Sequence, residues 1–125
     1  MRKPILTVVD DQLQVLELIR SELSKRYSAD YEIIAESSPA TALARLQELH
    51  ATDAQVIALL AGYSMAEMPG IAYLDHAHDL YPHARRVLLI PWSNRSATKP
   101  ILHEISLGHA DRFAMKSNRV PDEQF

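Results

Sequence analysis

The sequence predicts an α/β domain, a doubly wound parallel sheet of five strands with helices on both faces. Three observations carry this. Short apolar, β-branched runs recur at 5–9, 31–35, 56–61, 86–90 and 112–115. Stretches with helical periodicity separate them, and strict strand–helix alternation implies parallel strands joined by crossovers. The middle run, Val56-Ile57-Ala58-Leu59-Leu60-Ala61, is apolar throughout and then stops at Gly62, as expected of a central strand covered on both faces.

Each element follows from local chemistry. Ile5-Leu6-Thr7-Val8-Val9 is the first strand, ending at the carboxylates Asp10 and Asp11. From Gln12 the period changes: Val15, Leu16, Ile19 and Leu23 share one helical face, and this helix should run to about Tyr27. Tyr31 to Ala35 is the second strand. Ser37-Ser38-Pro39 then supplies a cap and a first-turn proline for a helix with Ala42, Leu43, Leu46 and Leu49 inward, ending near His50.

After the central strand, Tyr63 to Pro69 reads as a loop, and Met68-Pro69-Gly70 punctuates the start of a third helix. Ile71, Leu74, Ala77 and Leu80 form its inner side. Arg86 to Ile90 is the fourth strand, expected to stop at Pro91, which cannot donate to a ladder. Pro100 delays the fourth helix to about Thr98 or Lys99; Ile101, Leu102 and Ile105 should pack inward, with Gly108 as its stop. Arg112 to Met115 is the fifth strand. The ten residues 116–125 lack an apolar period, so the closing helix of such a domain is short or missing, or the chain is a fragment of a longer polypeptide.

Composition narrows the function. A chain of 125 residues suits one domain, spanning 1–125, and 47% hydrophobic with 23% charged residues is ordinary for a globular protein. The net charge of −3 gives no basic footprint for nucleic acid. No apolar run approaches a membrane span, and the amino terminus is not a signal peptide. Without cysteine there is no disulfide, thiolate metal site or redox dithiol in this chain. A cytoplasmic location is the expectation.

Open parallel sheets place their chemistry past the carboxyl ends of the strands. There stand Asp10 and Asp11 after the first strand, Gly62 after the third and Lys116 after the fifth. This pattern, with the order and spacing of all five strands, resembles the receiver domains of two-component response regulators. The resemblance covers nearly the whole chain and implies a flavodoxin-like fold with strand order 2-1-3-4-5. In that family the acidic pair helps to hold Mg²⁺, an aspartate ending the third strand accepts a phosphoryl group, a Thr or Ser ending the fourth senses it, and the lysine pairs with it.

Carried over residue by residue, Asp10, Asp11 and Lys116 match, and Phe113 matches the aromatic switch position. The phosphoacceptor position falls on Gly62 and the sensor position on Ile90, which cannot hydrogen-bond a phosphoryl oxygen. Ala66 stands where the following loop usually has proline. Asp53 would lie at the opposite end of the third strand, and Glu67 is too far down the loop to substitute. The resemblance therefore implies a degenerate receiver, a pseudo-receiver that is not itself an enzyme and acts through a protein partner, an attached domain or a homodimer. A phosphorylatable receiver is the alternative. Lys3-Pro4, Val9-Asp10-Asp11, Gln14-Val15-Leu16 and Arg86-Val87-Leu88-Leu89 also look like receivers fused ahead of FAD-dependent, thioredoxin-reductase-like oxidoreductases. That adds a second alternative, the regulatory domain of an attached disulfide oxidoreductase.

Plainer roles stand beside these. Asp10 and Asp11 suit the cap of the first helix and a pair with Lys116; with the third carboxylate gone, any Mg²⁺ binding should be weak. Gly62 could equally serve a positive φ after the strand. His76, Asp79 and His83 share a helical face, as solvated histidines commonly do. Tyr63, Ser64 and Trp92 rim the vacated position; the rings would fill space, and Ser64 has no adjacent base.

Overall fold

In the computed structural model, residues 3–91 and 112–116 are described. The elements run β1 (Ile5–Val9), α1 (Leu13–Tyr27), β2 (Glu32–Glu36), α2 (Pro39–Ala51), β3 (Val56–Gly62), α3 (Gly70–Leu80), β4 (Arg85–Pro91) and β5 (Arg112–Lys116). All pairings are parallel, and the strands lie in the order β2-β1-β3-β4-β5. The first four strands and three helices carry the core. β5 is placed by backbone register alone, with Leu88 beside Phe113 and Pro91 beside Lys116. The expected fourth helix, Trp92 and residues 117–125 lie outside the described residues.

Side chains alternate across the sheet with the two-residue period of a strand. Ile5 and Val9 of β1, Leu59 and Ala61 of β3 and Leu88 of β4 join Leu46 and Leu49 of α2 and Tyr73, Leu74 and Ala77 of α3 in one cluster. Val8, Leu60 and Leu89 face the other way, onto Val15, Leu16, Ile19 and Leu23 of α1. β1 and β3 are thus covered on both sides, which explains their unbroken apolar runs. No helix among the described residues is long and apolar enough to cross a membrane.

Boundaries moved where hydrogen bonding overrode composition. Asp30 N and Tyr31 N both donate to Tyr27 O, at 3.0 and 2.8 Å, so Tyr31 closes the turn after α1 and β2 starts one residue later than expected. Ser38 caps α2 as expected: its Oγ accepts from Thr41 N at 3.4 Å, with Pro39 in the first turn. β4 starts at Arg85 and includes Pro91, because the last residue of a ladder need not donate. In α3 the inner face is centred on Tyr73, which is fully buried, while Ile71 and Leu80 are only partly buried.

Burial pushes the Tyr73 hydroxyl well above the ordinary phenol range; the Thr7 hydroxyl beside it offsets a little of this and the Glu36 carboxylate adds to it. No partner stands in hydrogen-bonding geometry to this oxygen among the described residues.

Candidate functional site

The register fixes what meets at the carboxyl end of the sheet. Val9 pairs with Ala61, so Asp10 and Gly62 follow side by side, and Gly62 pairs with Leu89 of β4. Ile90 and then Pro91 come next on β4, with Lys116 level with Pro91. Backbone placement therefore brings Asp10, Gly62, Ile90 and Lys116 to one edge. The expected pairing of the acids with Lys116 involves a side chain outside the described residues.

Asp10 is fully buried. Its N–H donates to Glu36 O at 3.2 Å, continuing the ladder one residue past β1. Its Oδ1 accepts from Gln12 N at 2.9 Å, an Asx turn that leads the chain into α1. Gln12, at the N-cap, makes no side-chain cap bond; the carboxylate two residues earlier instead holds the Gln12 amide at the helix entrance. Asp11 is exposed and points elsewhere: its Oδ2 accepts from Ala66 N at 2.7 Å, across 55 residues of chain. Asp10 thus serves the helix start, and Asp11 ties the β1–α1 loop to the β3–α3 loop.

Gly62 is buried, ends β3 and pairs with Leu89 of β4. The glycine demanded by close approach is Gly70. A Cβ there would lie 2.2 Å from Gly62 O and 3.1 Å from Leu88 Cδ2. Helix α3 therefore begins directly against the last carbonyl of β3, and Gly70 N donates to Tyr63 O at 3.0 Å. Tyr63 is half-buried against the α2/α3 cluster, and Ser64 is exposed.

Residue Glu67 has a role that sequence reasoning missed. Its Oε1 accepts from Ser38 Oγ at 2.8 Å, and its Oε2 accepts from Ala40 N at 3.3 Å. A carboxylate from the β3–α3 loop thus completes the amino-terminal cap of α2, where anions are favoured. One signal was available: Thr41, not Glu or Gln, follows Ser38 at the capping-box position, leaving first-turn amides to be satisfied from elsewhere.

The donor set fits a resident Mg²⁺ poorly. This ion demands near-octahedral oxygen ligands, usually one or two carboxylates and several waters. Here Asp11 Oδ2 is engaged by Ala66 N, Asp10 Oδ1 by Gln12 N, and Gly62 offers no carboxylate. Elsewhere, among the described residues, no group of three or more His, Asp or Glu side chains is arranged to hold a metal, His76, Asp79 and His83 included. Asp53 lies before β3, at the far end from the site, in a left-handed turn at φ 57°.

No family model matches the sequence, and no curated protein does. Solved structures do match. A protein from Neptuniibacter caesariensis superposes with a TM-score of 0.75 at 21% identity, over 96% of this chain and 83% of that one. A CheY-like response-regulator receiver domain from Methanospirillum hungatei gives 0.68 at 20%, over 91% and 82%. A response regulator from Thermotoga maritima in complex with Mg²⁺ and beryllofluoride gives 0.67 at 21%, over 91% and 87%. The fold is that of response-regulator receiver domains.

Proposed function

We propose that this chain is a pseudo-receiver: a receiver-like domain that works in signal transduction through protein or interdomain contacts, without aspartyl phosphorylation. Transfer of a phosphoryl group onto a receiver, from a small donor or a kinase, needs a carboxylate oxygen in line with the leaving group, and a cation to neutralise the equatorial charge. The observation that carries the reading is Gly62, buried at the end of β3 beside Asp10, with no side chain to attack with. Ile90, one residue past the partner of Gly62 on β4, supports it, because a hydrocarbon cannot read a phosphoryl oxygen. The engagement of Asp10 and Asp11 by backbone amides supports it as well.

On this reading Asp10 and Asp11 are retained as loop fasteners, while Lys116 and Phe113 keep their family positions on β5. Output would pass to a partner protein, a second copy or an attached domain in the cytoplasm. The resemblance to receivers fused ahead of FAD-dependent oxidoreductases names one class of attached domain. The domain itself would catalyse nothing.

The test is beryllofluoride, which stands in for a phosphoryl group on a carboxylate. Adding it to the ¹⁵N-labelled chain already saturated with Mg²⁺ should leave the amides of Gly62, Tyr63 and Ser64 where Mg²⁺ alone had placed them. Saturable shifts at those amides, dependent on both components, would establish a competent receiver instead.

A further inference from the structure

The β3–α3 loop is fastened in two directions by consecutive residues. Ala66 N donates to Asp11 Oδ2 at 2.7 Å, tying the loop to the start of α1. Glu67 accepts from Ser38 Oγ at 2.8 Å and from Ala40 N at 3.3 Å, tying it to the start of α2. At its base, Tyr63 N donates to Leu89 O at 2.9 Å and Tyr63 O accepts from Gly70 N at 3.0 Å. Three of these five bonds have a carboxylate oxygen as acceptor, an acceptor that makes the stronger kind of hydrogen bond. They also join three loops that are far apart in sequence, so each constrains the others.

We propose that residues 63–69 form a latch in which the Ala66 amide takes the place of a cation at Asp11, so that latch closure and divalent-cation binding at Asp11 oppose each other. A cation at hydrogen-bonding or coordinating range of Asp11 Oδ2 would face the amide hydrogen already directed at that oxygen. Both are positive partners competing for one carboxylate, and the amide holds its place because Glu67 fastens the next residue to α2. Cutting the Glu67 tie should therefore loosen Ala66 from Asp11 without touching either acid of the pair. By linkage, whatever factor the open loop adds to cation affinity, the cation adds to loop opening. The latch is independent of phosphotransfer: it stands or fails on the behaviour of Ala66, whatever happens at Gly62.

Glu67→Ala is the cleanest variant, because Glu67 is exposed and its loss removes no core contact. Amide hydrogen exchange and Mg²⁺ titration are read on the full ¹⁵N-labelled chain, wild type against variant. Loss of the tie should speed exchange at the Ala66 amide by roughly tenfold, the factor for one charge-assisted bond of modest strength. Mg²⁺ should bind the variant several-fold more tightly than wild type, and in wild type saturating Mg²⁺ should speed Ala66 exchange. Ala66→Pro gives a second reading, since proline has no N–H to offer Asp11; it too should tighten Mg²⁺ binding. Unchanged Ala66 exchange in Glu67→Ala would overturn the latch. So would faster exchange with Mg²⁺ affinity unchanged or weakened.

Discussion

The two ends of the sheet are held together by different chemistry. At the amino-terminal end the ties are backbone bonds: Ile5 N to Gln55 O at 2.8 Å, Glu32 N to Pro4 O at 2.9 Å and Ala54 N to Leu49 O at 3.0 Å. Two side chains add to them: the Tyr81 hydroxyl donates to Ala54 O at 3.0 Å, and Lys3 Nζ donates to Ser28 O at 2.9 Å. At the carboxyl-terminal end the cross-loop ties made by side chains run through the carboxylates of Asp11 and Glu67. Backbone ties survive most substitutions, whereas carboxylate ties can each be cut by one. At the end where open parallel sheets place their chemistry, carboxylates hold loops together.

The largest effect is expected at Gly70, where α3 meets the end of β3. Gly70→Ala forces a Cβ into the Gly62 carbonyl, a backbone atom that cannot step aside. The expected cost is about 3 kcal/mol, at the upper end for overpacking, read from the denaturant midpoint. A loss below about 0.5 kcal/mol, the scale of ordinary surface changes, would mean that α3 can back away from β3 and that the site end is looser than described.

Ser38→Ala cuts two ties at once, the cap of α2 and the hydroxyl bond to Glu67. It should cost about 1 kcal/mol, and exchange should quicken at the Ala66 amide as well as in the first turn of α2. At the opposite end Tyr81→Phe removes one hydroxyl bond to a backbone carbonyl and should cost about 1 kcal/mol or slightly less. It should leave Ala66 exchange unaltered under native conditions. If the two variants loosen the same amides, the ends are not independent and the contrast fails.

The smallest effect belongs to the core between the ends. Tyr73→Phe removes a buried hydroxyl without a hydrogen-bond partner, so stability at neutral pH should change by less than about 0.5 kcal/mol or rise. The pH dependence has a definite sign. The folded chain holds the Tyr73 proton more tightly than the unfolded chain does, so its stabilising share is complete below the ordinary phenol pKa near 10 and is lost as pH rises beyond it. Wild type should therefore lose stability above about pH 10 more steeply than the Phe variant. Equal slopes would place the hydroxyl in water.

Much of this was legible in the residues because it depends on local period. Val15, Leu16, Ile19 and Leu23 mark the buried face of α1, and Ser38-Pro39 marks the start of α2, without any tertiary information. The end of β1 at two carboxylates was equally plain. Tyr73 was not, because the aliphatic residues on α3 already made a plausible inner face and only packing shows which stripe lies deepest. The Ser38–Glu67 tie spans 29 residues, and the donor to Asp11 is a backbone amide that every residue but proline carries. Such contacts leave no trace in composition or spacing. Gly62 was visible at once, but its place within the ladder and its contact with Gly70 needed the register.

The central claim is that nothing at this rim accepts a phosphoryl group. Incubation of the intact chain with acetyl phosphate and Mg²⁺, followed by intact-mass measurement under conditions that preserve acyl phosphates, tests it directly. The predicted result is a single species at the unmodified mass. A Mg²⁺-dependent phosphoryl increment that maps to residues 10–11 or 62–67 would contradict the account.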